Sequence, residues 1–284
     1  MSTVTEPSAH LWDAKQQIEF DIFIEAIRRF TGHDFSQYSE PSLKRLVRRL
    51  MALQKTKSLA SLIPRVIDDK HFRDYVIDNL TVSCSQLFRD PVVFQRITSE
   101  VFSYLESFPR PIIWVAGCAN GEEAFSLAIL LSEAGLLKHT QIYATDISPN
   151  ALEQATSGVL QLPPTEEDRD NYKQSNGQNS LDDYFDYSSH GVKLREELLS
   201  HITFEQHDLI QQPEFISAQL VLCRNVFIYF EKTTKLSALE VIRNTLISRG
   251  YLVTGIKEDI NLYESEKSFV LVSRKAGLYR KKLL

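Results

Sequence analysis

Apolar positions recur at helical spacing through the first 80 residues. Phe20, Phe23, Ile24, Ile27 and Phe30 mark one face of a helix, and Gly32 is placed to close it. In LKRLVRRLMAL, Leu43, Leu46, Val47, Leu50 and Leu53 fall on one side of a second helix. Lys44, Arg45, Arg48 and Arg49 fall on the other side. Two more helices are predicted around 59–68 and 70–80, with no strand-like alternation between them. A further helix is predicted to start at Asp90-Pro91, because aspartate caps well and proline suits the first helical position. Phe94, Ile97, Val101 and Leu105 would be its buried face, and FPRP at 108–111 breaks the chain.

From Pro111 onward the pattern changes. IIWVA is a short buried strand running into a glycine-containing turn, and the helix that follows carries Phe125, Leu127, Ile129 and Leu130. QIYATDI is a second strand and PNALEQAT a second helix. ITFEQHDL and AQLVLCRNV read as later strands, LSALEVIRNTLI as a helix and GYLVTGI as another strand. Strands alternating with helices predict an α/β fold built on a doubly wound sheet. A polar stretch at about 163–200 interrupts the alternation. It reads as an inserted antiparallel subdomain, with LDDYFDYSSHGVKL as its hairpin. The expected organisation is a flexible N-terminus at 1–18, an all-α domain with its linker at 19–90, and an α/β domain at 91–284.

Composition narrows the function. The 284 residues are 43% hydrophobic with a formal net charge of -5, a mildly acidic balance that argues against general nucleic-acid binding. Cys84, Cys118 and Cys223 are far apart and form no CxxC pair, so neither a disulfide framework nor a metal site is expected. The polar N-terminus is unlike a signal peptide, and no run of about 18 apolar residues predicts a membrane span. A cytoplasmic protein without membrane insertion is expected.

The strongest local signal is IIWVAGCANGEEAFSLA, where a buried strand meets a turn holding Gly117 and Gly121. Glycines there let the backbone approach a ligand closely. The spacing is not GxGxxG, and Glu122 and Glu123 at the helix start would repel a phosphate. Carboxylates there suit a ligand bearing an ammonium or sulfonium group, although they also complement the helix dipole. Asp146 ends the next strand, about 25 residues after Gly121, where an acid can accept hydrogen bonds from both hydroxyls of a ribose. Ser148 is the better helix cap. Order and spacing together predict a ribose-bearing cofactor.

With these motifs in place, the chain resembles the CheR family of chemotaxis receptor glutamate methyltransferases from about Phe20 to Arg280. WVAGCANGEEAFSLA, YATDIS, LFRDP and LVLCRNVFIYF carry the likeness. The resemblance implies a Rossmann-like domain binding S-adenosylmethionine (SAM), an N-terminal all-α domain and a small inserted antiparallel β subdomain. It implies that Glu123 meets the methionine end of SAM and that Asp146 holds the ribose. Asp208 and Leu209 would flank the adenine, and Arg224 and Asn225 would line the pocket. Arg89 would lie beside the transferring methyl, with Tyr229 shaping that end. Thr81-Val82-Ser83-Cys84-Ser85 departs from the family pattern, so Ser83 and Ser85 replace longer polar cofactor contacts. Gly255-Ile256-Lys257-Glu258 stands where the family often has GHSE.

The reaction so implied needs no His/Asp pair, because a glutamate acceptor, with a reference pKa of about 4.3, is already an anion. Arg89 and Tyr229 are the expected catalytic residues, and S-adenosylhomocysteine (SAH) the expected product. Lys44, Arg45, Arg48 and Arg49 are expected to meet the acidic helices of a chemoreceptor's cytoplasmic domain. No metal is expected, nor a nucleic-acid partner, and the protein is expected to be a monomer. The alternative from another class is a non-catalytic SAM-binding sensor or scaffold, which would bind cofactor without turnover.

Overall fold

Asp13 opens α1 (Ala14–Thr31) with a reciprocal cap: its carboxylate accepts the Gln16 N–H at 2.7 Å while the Gln16 side chain accepts the Asp13 N–H at 3.0 Å. Gly32 ends that helix in the left-handed conformation, as the sequence predicts. The computed structural model describes residues 12–81, 86–213, 216–263 and 268–283. It divides the chain into two compact units, Met1–Leu80 and Thr81–Leu284.

The first unit also holds α2 (Glu40–Leu53), α3 (Ile63–Asp68) and α4 (Lys70–Leu80). Phe20, Phe23, Ile24 and Ile27 of α1 are buried, as are Leu43, Leu46, Val47 and Leu50 of α2. Phe30 and Leu53, expected on the same faces, are about half exposed, at 47% and 50%. Each lies in the last turn of its helix, where the apolar spacing continues past the packed stretch.

The second unit starts with α5 (Pro91–Arg96), continues through a π turn at Ile97–Val101 and ends that arm with α6 (Phe102–Leu105). Phe94, Ile97, Val101 and Leu105 are fully buried. Asp90 does precede the helix, but it sits at φ 59° and its side chain caps nothing. That carboxylate is used elsewhere.

A seven-stranded sheet follows: β1 (Ile112–Ala116), β2 (Gln141–Asp146), β5 (Ile202–Gln206), β6 (Ala218–Cys223), β7 (Leu246–Thr254), β8 (Phe269–Ser273) and β9 (Leu278–Lys281). The spatial order is β5-β2-β1-β6-β7-β9-β8. The first five neighbours pair in parallel, and β9 runs antiparallel to both β7 and β8. The connecting helices include α7 (Glu122–Glu133), α8 (Pro149–Ser157) and α11 (Lys232–Thr245). This is a Rossmann-like α/β fold with an all-α N-terminal domain and a small antiparallel β pair. Two features differ from the sequence outline. The helix expected to reach Leu246-Ile247 stops at Thr245, because Leu246 turns extended and pairs with Ala218. The hairpin β8–β9, which the outline lacked, completes the sheet.

The insertion holds α9 (Glu166–Gln174), the hairpin β3 (Phe185–Ser188) and β4 (Gly191–Leu194), and α10 (Glu196–Leu199). The Tyr172 and Tyr184 hydroxyls both donate to the Glu133 carboxylate at the end of α7, which ties the insertion to the core. No helix among the described residues is long and apolar enough to cross a membrane.

Candidate functional site

The order of strands places the site. The chain winds outward from β1 through β2 to β5, then returns to β6 on the other side of β1. In open α/β sheets, ligands bind beyond the carboxyl ends of the strands at such a reversal. Two loops meet there: 117–121 after β1 and 224–229 after β6.

The first loop is drawn onto the end of β2. The Gly117 and Cys118 N–H groups donate to the Thr145 carbonyl at 2.8 and 2.9 Å, and the Ala119 N–H donates to Asp146 Oδ2 at 2.8 Å. Gly117, Ala119 and Gly121 all have positive φ, at 75°, 49° and 95°. Position 117 admits only glycine on two grounds. Its conformation is left-handed, and an added Cβ would lie 2.5 Å from Val226 Cγ2 of the second loop. Asp146 also accepts the Ser148 N–H through Oδ1 at 2.9 Å, while the Ser148 hydroxyl caps α8. A carboxylate oxygen has more than one lone pair, so both oxygens keep acceptor capacity for a ligand. Next to Asp146, its carbonyl accepts the His207 N–H at 3.1 Å. This brings Asp208 and Leu209, both buried, beside it. Asp208 is engaged locally: Oδ1 accepts the Ile210 and Gln211 N–H groups, and Oδ2 accepts the Gln211 side chain. Its geometry here is that of a turn former.

Arg224 does not extend into open space. Its side chain is 1% exposed and joins three segments. Nη1 donates to Glu123 Oε2 at 2.5 Å, and Nη2 donates to Asp90 Oδ2 at 2.9 Å and to the Arg89 carbonyl at 2.8 Å. The start of α7, the Arg89-Asp90 turn and the end of β6 are thus held by one guanidinium. Burial pushes the Glu123 carboxyl up, with the Arg224 charge pulling against it. Asp90 and Phe88, both at positive φ, complete a tight turn whose Phe88 N–H donates to the Ser126 hydroxyl at 2.9 Å. That turn leaves the Arg89 side chain exposed, with no hydrogen-bond or ion-pair partner among the described residues, although its charge is felt at Glu123.

The second loop is held by Glu258, which the sequence reading named only as the last residue of Gly255-Ile256-Lys257-Glu258 and gave no role. Glu258, 5% exposed, accepts the Asn225 N–H at 2.8 Å and the Gly255 N–H at 2.7 Å through Oε2, and the Ile228 N–H at 3.1 Å through Oε1. Asn225 is left-handed, at φ 59°, and Tyr229 follows half-buried in the same loop. Ser83 and Ser85 lie outside the described residues. Asp90, Glu122, Glu123, Asp146 and Glu258 therefore surround this end of the sheet, against Arg224 and Arg89. Burial raises the Cys118 thiol well above its usual range, and the charges of Asp146, Glu122 and Glu123 add to the rise. Such a surround favours a cationic ligand over a phosphate.

The basic face of α2 proves to be two stripes. Lys44 pairs with Glu40 at 2.6 Å, donates to Gln17, and lies over the Trp12 and Phe20 rings. Arg48 lies over Trp12 at 5.4 Å. Arg45 and Arg49 are exposed and make no ion pair among the described residues.

Comparison with known proteins agrees with this architecture. The model of the CheR methyltransferase SAM-binding domain matches residues 83–277, and that of the CheR methyltransferase all-alpha domain matches residues 18–81. The chain is 34% identical to the Cher3 protein of Pseudomonas putida over 264 residues, which is 93% of this chain and 97% of that one. It is 28% identical to a chemotaxis protein methyltransferase of Listeria innocua over 240 residues, covering 84% and 88% of the two chains. It is also 28% identical to chemotaxis protein methyltransferase 1 of Pseudomonas aeruginosa over 257 residues, covering 86% and 90%. An all-α domain followed by a SAM-binding α/β domain, matched in that order over nearly the whole chain, shows that the protein belongs to the CheR methyltransferase family.

Proposed function

We propose that this SAM-dependent methyltransferase esterifies glutamate side chains on the cytoplasmic helices of chemoreceptors. The observation that carries the reading is the pairing, at the sheet's reversal point, of an acid-lined glycine cradle with an exposed guanidinium, Arg89, that has no partner among the described residues. The cradle suits SAM: its sulfonium and ammonium are cations, and Asp146 retains acceptor capacity for ribose hydroxyls. Glu123 uses Oε2 on Arg224 and would offer Oε1 to the ammonium, with Asn225 and Leu209 on the pocket wall. When bound, SAM supplies an electrophilic methyl carbon on sulfur.

The acceptor carboxylate is an anion at neutral pH, since a glutamate has a reference pKa of about 4.3. Its oxygen forms the new C–O bond as the S–CH3 bond breaks, and that electron pair leaves with sulfur. The products are a methyl ester and neutral SAH, and no proton moves. The chain's own task is alignment and charge. Arg89 orients the acceptor carboxylate, and Tyr229 bounds the methyl end. Arg45 and Arg49, which make no ion pair among the described residues, supply positive charge for an acidic receptor helix, while Lys44 is drawn back onto Trp12 and Arg48, though exposed, lies over the same ring. The names of the Listeria and Pseudomonas aeruginosa relatives support a chemotaxis acceptor.

The test is incubation with SAM labelled in the methyl group and purified receptor cytoplasmic domains. Label should appear on the receptor and be released as methanol by mild base. SAM binding with no turnover on any receptor domain would leave a sensor, and label stable to base would point to another acceptor atom.

A further inference from the structure

We propose that Glu258 is a positioning residue for methyl transfer, holding the 224–229 loop in the one conformation that completes the cofactor pocket. The inference rests on the methyl-transfer reading above. Three backbone N–H groups from two loops converge on this single buried carboxylate: Asn225 and Ile228 from one, Gly255 from the other. Among the described residues, no other acceptor serves the Asn225 and Ile228 amides. A carboxylate that accepts several N–H groups can organise a loop as an anion organises a nest, because each bond is charge-assisted.

The local backbone is built for this contact. The Glu258 N–H returns to the Gly255 carbonyl at 2.8 Å, and the Thr254 hydroxyl donates to the Glu258 carbonyl at 2.9 Å. These bonds fold the end of β7 into a tight turn that aims the side chain back at β6. Gly255 makes the approach possible: a Cβ there would sit 2.6 Å from Glu258 Oε2 and 3.0 Å from Asn225 Nδ2.

The loop so held is strained and consequential. Asn225 occupies the left-handed region, which costs an L residue free energy and persists only where the surroundings enforce it. Val226, the next residue, packs where a side chain on Gly117 would be, so the two ligand loops share one contact. Upstream, Arg224 fixes the loop's start to Glu123 and Asp90. Downstream, Tyr229 takes its place from the turn that begins at Val226. Arg224 fastens the loop's start, and Glu258 holds it at Asn225 and again at Ile228. Burial raises the Glu258 carboxyl, while its amide donors and Arg224 lower it.

The experiment compares Glu258→Gln with wild type and with Leu105→Ala, a fully buried core change in α6. Glutamine keeps the shape but turns an N–H2 toward at least one N–H donor. SAH affinity by calorimetry and KM for SAM should weaken by about tenfold, the equilibrium consequence of losing roughly one charge-assisted hydrogen bond. Hydrogen exchange should quicken at the Asn225 and Ile228 amides. Leu105→Ala should lower Tm by as much or more and leave SAH affinity unchanged. If the glutamine variant does not fold, Glu258→Asp, which keeps the charge but shortens the reach, carries the same comparison with the same expectation. Wild-type SAH affinity and KM in the folded variant overturn the proposal, as does equal weakening in Leu105→Ala. A wild-type protein that binds no SAH would sink the methyl-transfer reading along with this one, so the two failures are distinct.

Discussion

Replacing Arg224 with methionine should expose how much the site depends on one buried cation. Methionine fills much of the same space, so the loss is mainly electrostatic. Removing one partner of a buried ion pair costs about 3–5 kcal/mol, because the remaining charge is left uncompensated. The Glu123 and Asp90 side chains stay 17% and 25% exposed, and that partial solvation favours the lower end. A loss of about 3 kcal/mol corresponds to a Tm lower by roughly 6–12 °C in a domain of this size. Thermal unfolding followed by circular dichroism measures it. The pH dependence gives a second handle. Burial already raises Glu123, and without Arg224 the rise grows. A carboxyl raised above its unfolded value binds more protons in the folded state, so stability falls as pH rises through that window. The deficit of Arg224→Met should therefore be smaller at about pH 5 than at about pH 7. Adding Glu123→Gln should recover part of the loss and flatten that pH response. A deficit under about 1 kcal/mol, the scale of a surface pair, would refute the reasoning. So would a deficit that deepens toward acid.

Other perturbations separate the remaining roles. Asp146→Ala should weaken SAH binding by about 1–3 kcal/mol in calorimetry, the scale of losing charge-assisted hydrogen bonds. Arg89→Ala should lower kcat far more than SAM affinity, whereas Arg45→Glu with Arg49→Glu should spare SAM binding and depress receptor methylation. Wild-type receptor methylation should also weaken with added salt and the double variant's much less, since exposed charges are screened beyond about 10 Å at roughly 0.1 M. Gly117→Ala should cost more than about 1 kcal/mol from its left-handed backbone alone. The added Val226→Ala should relieve the steric part of that loss and leave the backbone part, as read by Tm.

Part of the candidate site was legible before the fold. Glycine 117 and the acids at 123 and 146 were readable because a strand, a glycine turn and a second strand's terminal acid are neighbours in sequence as well as in space. Ser148 was readable as a cap because capping is local. Asp90 misled for the complementary reason: it stands where a cap belongs, yet its carboxylate answers to Arg224, 134 residues away. Lys44 read as part of an open basic face until Trp12 and Phe20 drew it back, while Arg48 lies over Trp12 and stays exposed. The β8–β9 hairpin escaped notice because strands as short as Phe269–Ser273 and Leu278–Lys281 carry little period-2 signal.

Hydrophobic periodicity by itself determined the succession of helices and strands, the all-α start and the doubly wound α/β body, because burial of one face imposes its spacing residue by residue. The glycine turn and its acids by themselves pointed to a ribose-bearing, cationic cofactor. The tertiary structure decided which charges meet. It turned Arg224 from a pocket-lining residue into a buried clasp, and made Glu258, to which no role attached from its sequence position, the anchor of three amides. No local pattern encodes such partners. The energy of a buried charge depends on what the sheet order brings within about 3 Å of it, and strand order is settled by the packing of the whole domain.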